Sequence, residues 1–340
     1  MDRTLPRSIW CHKTVKPEVK YLLFGVLTMI LATVPPAIAL SFVDWRTVAG
    51  VAYLGSLAAY LAASIANWRV GLWLALPLAV ASGLAVQFAH NPWLAAILLA
   101  IWAGARGFSD AWGLSGALTL AVISVGFIVA APPTPHSSIS NALFVGLIIL
   151  AVALWATLIA CLMKKHNMPA QPPKPLDRKR AYGFGVTLGV LVGIATWFIV
   201  DLKLGHPGGW IILTLVIVLQ PYARDGVTKG VQRSAGTILG FFVAAGIASL
   251  IKSPGILLAI GMVVMVIAMV PMLTGKPYWQ FAFGLTVAVV LFSGADASVQ
   301  TADYERLGAT LIGVLAAIIV SLISIPFSKA YSEKIGDAKF

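Results

Sequence analysis

Residues 215–240, LVIVLQPYARDGVTKGVQRSAGTILG, set a cluster of polar residues between apolar runs. Four charged residues, Arg224, Asp225, Lys229 and Arg233, fall close together there. Pro221 withdraws a helix hydrogen bond and predicts a break. Asp225-Gly226 reads as a turn, with residues 228–233 re-entering a helix that continues through SAGTILG. On that reading Arg233 sits near a helix start, beside exposed backbone N–H groups. A guanidinium at a helix N-terminus suits an anion, and Arg can hold a carboxylate through two parallel bonds. Gln220, Gln232 and Thr237 would add neutral hydrogen bonds, and Trp210, which opens the preceding apolar run, would touch the rest of the ligand. The alternative on spacing alone is a loop whose basic residues only mark the cytoplasmic side. Both readings stay open at this point.

Acids inside membrane spans are the usual proton carriers, yet no charge falls at the middle of an apolar run. The proton-coupling candidates are therefore acids near run ends: Asp201, Glu305 and Asp44. Asp201 is foremost, because ATWFIV precedes it without a polar break. For these three, and for Arg106 with Asp110, an interfacial anchor is the ordinary alternative. His90, His136 and His206 lack metal-ligating spacing, and His12 and His166 lie in basic segments. No Ser-His-Asp arrangement or phosphate-binding loop stands out. The expectation is no catalytic residue, no metal and no cofactor, hence not an enzyme.

The elements that must position these residues are membrane helices. The chain has 340 residues, of which 59% are hydrophobic and 11% charged, with mean hydropathy +0.92. Soluble domains carry about a quarter charged residues. Twelve apolar runs approach the length of a bilayer-crossing helix, at 20–41, 47–66, 70–88, 92–107, 112–131, 141–163, 182–201, 208–222, 234–251, 254–272, 278–294 and 306–326. The first reads as a retained span, not a signal peptide. The net charge of +12 is a matter of topology. With a cytoplasmic N-terminus, 20 of the 24 Lys and Arg residues fall on inner segments, which places both termini in the cytoplasm. The basic charge therefore points to the lipid bilayer and not to nucleic acid. Cys11 and Cys161 both fall on the inner side, so no disulfide is expected. Most tryptophans lie near span ends, as an interfacial belt would place them.

Residues 164–181 are basic and Pro-rich, as in KKHNMPAQPPKPLDRKR, and read as an extended cytoplasmic linker. It separates two six-helix units, 20–163 and 182–326, flanked by a cytoplasmic segment 1–19 and a tail 327–340. FGVLTMILATVP and FGVTLGVLVGIA, NPWLAAILLAI and SPGILLAIGMV, and LTLAVISVGFI and LTVAVVLFSGA pair at a common offset. These echoes imply a duplicated unit. An even number of spans per unit makes the repeats parallel. The predicted fold is thus an all-α membrane protein of two parallel six-helix repeats. Gly185, Gly189 and Gly193 form a small-residue stripe, as do Gly236, Gly240, Ala244 and Ala248, and Ala309, Gly313 and Ala317. Such stripes allow close helix packing in lipid. Packing within the chain is the expectation, and a homodimer is the alternative.

GGWIILTLVIVLQP followed by GVTKGVQRSAGTILG resembles the signature of the fusaric acid resistance protein-like family, the aromatic acid exporters. The signature falls on Trp210, Gln220, Pro221, Gln232, Arg233, Gly236, Thr237 and Gly240. RLGATLIGVLAA is similar to the family's final helix. The resemblance covers 182–326 and is fainter across 20–163, where NWRVGLWLA replaces the Gln-Arg-Gly-Thr core. The membrane unit is also similar to that of plant aluminium-activated malate transporters. Many relatives carry a cytoplasmic domain after each membrane half, where this sequence has a short linker and a short tail. The resemblance implies proton-driven export of small hydrophobic or aromatic carboxylic acids across a bacterial inner membrane, with a small organic anion as substrate. An anion channel and a non-transporting scaffold subunit of an efflux system are the alternatives.

Overall fold

The structure is a computed structural model and describes residues 19–42, 46–134, 136–163, 175–251, 253–293, 307–320 and 322. Among them run twelve α-helices and no strand. The first six are α1 Val19–Phe42, α2 Arg46–Ile65, α3 Trp68–Phe88, α4 Pro92–Phe108, α5 Ser115–Ala130 and α6 Ile139–Leu162. The second six are α7 Arg178–Asp201, α8 His206–Val218, α9 Ala223–Leu250, α10 Pro254–Leu273, α11 Tyr278–Ser293 and α12 Leu307–Val320. By length and composition, α1, α2, α3, α4, α6, α7 and α9 are able to cross a membrane. A helix satisfies its own backbone polar groups, which is what an apolar surrounding demands.

Local chemistry sets several boundaries. Asn67 caps α3 by accepting from Val70 N, and Asn91 caps α4 by accepting from Trp93 N and Leu94 N. Ser138 and Asp177 cap α6 and α7 in the same way. Between α4 and α5 a 3-10 turn covers Ser109–Trp112 and ends on Gly113 at φ 72°, a left-handed conformation that glycine adopts without a Cβ clash. The predicted span at 112–131 therefore starts three residues late, at Ser115.

The two sets of six meet along α4 and α7. These helices are antiparallel, with Trp93 near Trp197 at one end and Phe108 near Tyr182 at the other. Their backbones touch: a Cβ on Gly107 would lie 2.4 Å from Gly185 Cα, and one on Gly189 would lie 2.7 Å from Ala100 O. Small residues alone permit that approach. The other two stripes also face helices of this chain. Gly236 and Gly240 pack on the α11 backbone at Trp279 and Phe283, and Gly313 packs on Ile211 and Thr214 of α8. Outward faces carry large apolar side chains, among them Trp73, Leu147 and Leu250, as lipid contact would require.

Candidate functional site

The site is built on α9, and Pro221 decides where α9 starts. The residue before a proline is driven out of the helical region, and α8 ends at Val218 with Leu219 extended. Gln220 caps this end, its amide donating to Ile217 O at 2.8 Å and Leu219 O at 2.9 Å. The chain becomes helical again at Ala223, earlier than the sequence suggested. Gly226 N already donates to Tyr222 O at 3.1 Å, so Asp225-Gly226 is helix and not a turn. Asp225 stands in the first turn, where a carboxylate complements the helix dipole. This corrects the expected helix-start anion site. Arg233 lies about 15 Å along α9 from its start, and its backbone amide is inside the helix.

What α9 does provide is a polar stripe on its buried face. Arg233 is 1% exposed and Thr237, one turn on, is also buried. Close packing of Gly236 and Gly240 on α11 brings Tyr278 within reach, and Arg233 Nη1 donates to Tyr278 Oη at 3.0 Å. Arg233 Nε and Thr237 Oγ1 are buried without a hydrogen-bond partner among the described residues. A guanidinium and a hydroxyl left so in low dielectric suit an anionic ligand, because unpaired buried polar groups are costly.

Of the other predicted site residues, Gln232 is half-buried next to Arg233. Gln220 lies at the far end of α8 and spends its amide on two carbonyls. Trp210, the fifth residue of α8 and ten before Gln220, packs edge-on against Phe127 at 5.1 Å, so it stands away from Gln220 by most of that helix. Asp201 is exposed at the last position of α7. Asp44 and Glu305 lie outside the described residues. Gly185, Gly189 and Gly193 line the α4–α7 contact.

The surroundings of two polar side chains were not anticipated. Tyr278 follows Lys276-Pro277, which marks a helix start but gives no hint of a distant Arg. Arg106, read as an interfacial anchor, is 5% exposed. Its Nε donates to Thr119 Oγ1 at 3.3 Å, and its Nη1 is buried and unpaired among the described residues. No cluster of metal-ligating side chains occurs among the described residues.

Residues 202–320 match the model of the fusaric acid resistance protein-like family. That segment is fusaric acid resistance protein-like. It spans α8–α12 and includes Arg233, Thr237 and Tyr278. An uncharacterized protein of Synechocystis sp. is 31% identical over 139 residues, which is 40% of this chain and 18% of that protein. The chain thus matches less than a fifth of that relative's length. No solved structure matches. The apolar helices and the fusaric acid resistance protein-like segment make this a membrane protein.

Proposed function

We propose that the protein is a secondary transporter exporting small hydrophobic or aromatic carboxylic acids, with Arg233 holding the carboxylate. The observation that carries this reading is a guanidinium 1% exposed within an apolar helix bundle, bonded among the described residues only to a neutral phenol. Ionisable groups at membrane depth are expensive and mark the paths of substrates and ions. Thr237 offers the same ligand a neutral partner one turn away, and the surrounding apolar side chains suit a ring. Transport of this kind needs no covalent chemistry and no cofactor.

In this reading all twelve helices cross the bacterial inner membrane as two parallel repeats, with both termini cytoplasmic. Helix neighbours support the duplication. As α2 packs on α1 and α3, α8 packs on α7 and α9; as α5 packs on α3 and α4, α11 packs on α9 and α10. Gly230 meets Ile318 between α9 and α12 as Gly71 meets Thr157 between α3 and α6. The distribution of Lys and Arg supports the orientation.

Proteoliposomes loaded with a panel of labelled aromatic and aliphatic acids test the proposal. The expected result is efflux of aromatic carboxylates that a pH gradient accelerates. Flux that ignores the gradient, with currents reversing at the anion equilibrium potential, would make the protein a channel. Absence of flux for every acid would leave the scaffold role and end the transporter reading.

A further inference from the structure

At the end of the α4–α7 seam that Trp93 and Trp197 mark, the two helices enclose a groove of 460 Å³. Its floor is Ala96, Ala100 and Gly193. A Cβ on Gly193 would lie 2.9 Å from Ala100 Cβ and 3.3 Å from Ala96 O, so only small residues fit where the helices meet. Ile97, Val190 and Ile194 form its rims, and each is more than half exposed. The two indoles, with ring centroids 5.7 Å apart, stand at one end. No charged residue lines the groove, and the Trp197 Nε1 group is buried. A carboxylate or a lipid headgroup would therefore find no counter-charge there.

The groove opens on a face made for lipid. Ile101 of α4 and Phe198 of α7 extend that face and are exposed. Asn91 caps α4 two residues before Trp93, and α7 ends at Asp201, four residues after Trp197. The indole end thus lies at the polar limit of both helices, where belt tryptophans sit. From there the groove follows Trp93 to Ala100 and Trp197 to Val190, about 10 Å along each helix axis. Half the hydrocarbon core of a bilayer is about 15 Å thick. The groove therefore enters one leaflet from its polar side and stops short of the midplane. Empty, it would forfeit the dispersion contacts of its lining atoms, and the solvent that surrounds it is hydrocarbon.

We infer that this groove is a binding site for one acyl chain of a phospholipid. The ester end lies at Trp93 and Trp197, and the chain runs inward over Ala96, Gly193 and Ala100. A chain seated there touches a floor and two rims, where one on an open face touches a single surface. It also contacts one helix from each set of six, and so braces the seam that joins them. The inference rests on the membrane character of the chain and not on the exporter reading.

Photolabelling of the full chain in phosphatidylcholine vesicles tests it, with a trace of the lipid carrying a diazirine midway along one acyl chain. Mass spectrometry maps the labelled residues. Label at Val190 and Ile194 should exceed that at Trp73 and Leu147 on the open faces by about fivefold or more, roughly 1 kcal/mol of preference. Ala96→Phe fills the groove and should bring Val190 and Ile194 down to the open-face level. Ile97→Trp narrows it from an exposed rim position and keeps the test available should Ala96→Phe not fold, which thermal unfolding checks. Stripping lipid should lower the unfolding temperature of wild type more than that of either folded variant, since a ligand of the folded state stabilises it by mass action. Equal labelling of groove and open faces would overturn the inference and leave an ordinary lipid annulus. Undiminished label at Val190 and Ile194 in both variants would overturn it too. A groove closed to label in a dimeric wild type would give it to a second copy of the chain, and displacement of the label by benzoate would give it to an organic acid. Either result is contrary to the proposal. None of these measurements reads flux, so the proposed function stands or falls separately.

Discussion

Arg233 carries five N–H donors, and among the described residues a single hydrogen bond engages them, to Tyr278. Tyr278 orients the guanidinium but brings no charge, so its role differs from that of a counter-ion. Tyr278→Phe is expected to lower stability by about 1–3 kcal/mol, the cost of leaving a buried donor unmatched. Carboxylate affinity should stay within about threefold of wild type, because the phenol does not hold the anion. Thermal unfolding and benzoate binding measured on the same preparation check both halves of that statement. Thr237→Val should weaken benzoate binding by about 0.5–1.5 kcal/mol, the net worth of one neutral hydrogen bond. An unchanged affinity in that variant would exclude the hydroxyl from the site. That Arg233 and Thr237 share a face of α9 follows from their spacing of four residues, whereas the helix start expected at Arg233 lies ten residues earlier, at Ala223. Arg106 was not legible, because an Arg in a final helical turn ordinarily reaches toward the interface. Its burial comes from Thr119 and Phe184, which no local pattern connects to it.

At the scale of elements, α8 and α9 show which signals a sequence carries. Gln220-Pro221 marked the end of α8, because proline geometry is local. Asp225-Gly226 misled, since the same pair serves as a turn or as the acidic first turn of a helix. Whether Tyr222 caps α9 depends on where Pro221 directs the chain. The α4–α7 seam was half legible: Gly185, Gly189 and Gly193 announce a close contact, but only tertiary structure names α4 as its partner. Gly189→Val is expected to destabilise the protein by about 1–3 kcal/mol or more, since its side chain would overlap Ala100 O and Gly104 Cα. Gly183→Ala, two residues before the stripe's first glycine and with open space around it, should change stability by no more than about 1 kcal/mol. Thermal unfolding of the two variants side by side compares the seam with an outward position. Equal effects would show that the seam is not tightly packed.

For the whole molecule, the positive-inside pattern and the helix order together predict sidedness. With Cys11 and Cys161 replaced by Ser, His90→Cys in the α3–α4 connection should react with an impermeant maleimide added to intact cells. Arg224→Cys at the start of α9 should react only after permeabilisation. Both positions are exposed, so access to reagent is decided by side and not by burial. The opposite pattern would invert the topology and put the α9 stripe at the outer end. The number and approximate limits of the helices could be read from apolar runs, whereas the joining of the two sets through α4 and α7 could not. That seam sets Arg106 against the Phe184 ring and buries it, so the arrangement of the whole determines which charges leave the surface.

The most direct measurement is benzoate efflux from proteoliposomes containing equal amounts of wild-type protein or Arg233→Ala, under the same pH gradient. The account predicts that the variant, folded by thermal unfolding, loses most of the flux, tenfold or more if Arg233 supplies one charge-assisted contact of about 1.5–3 kcal/mol. Undiminished flux through Arg233→Ala would contradict it.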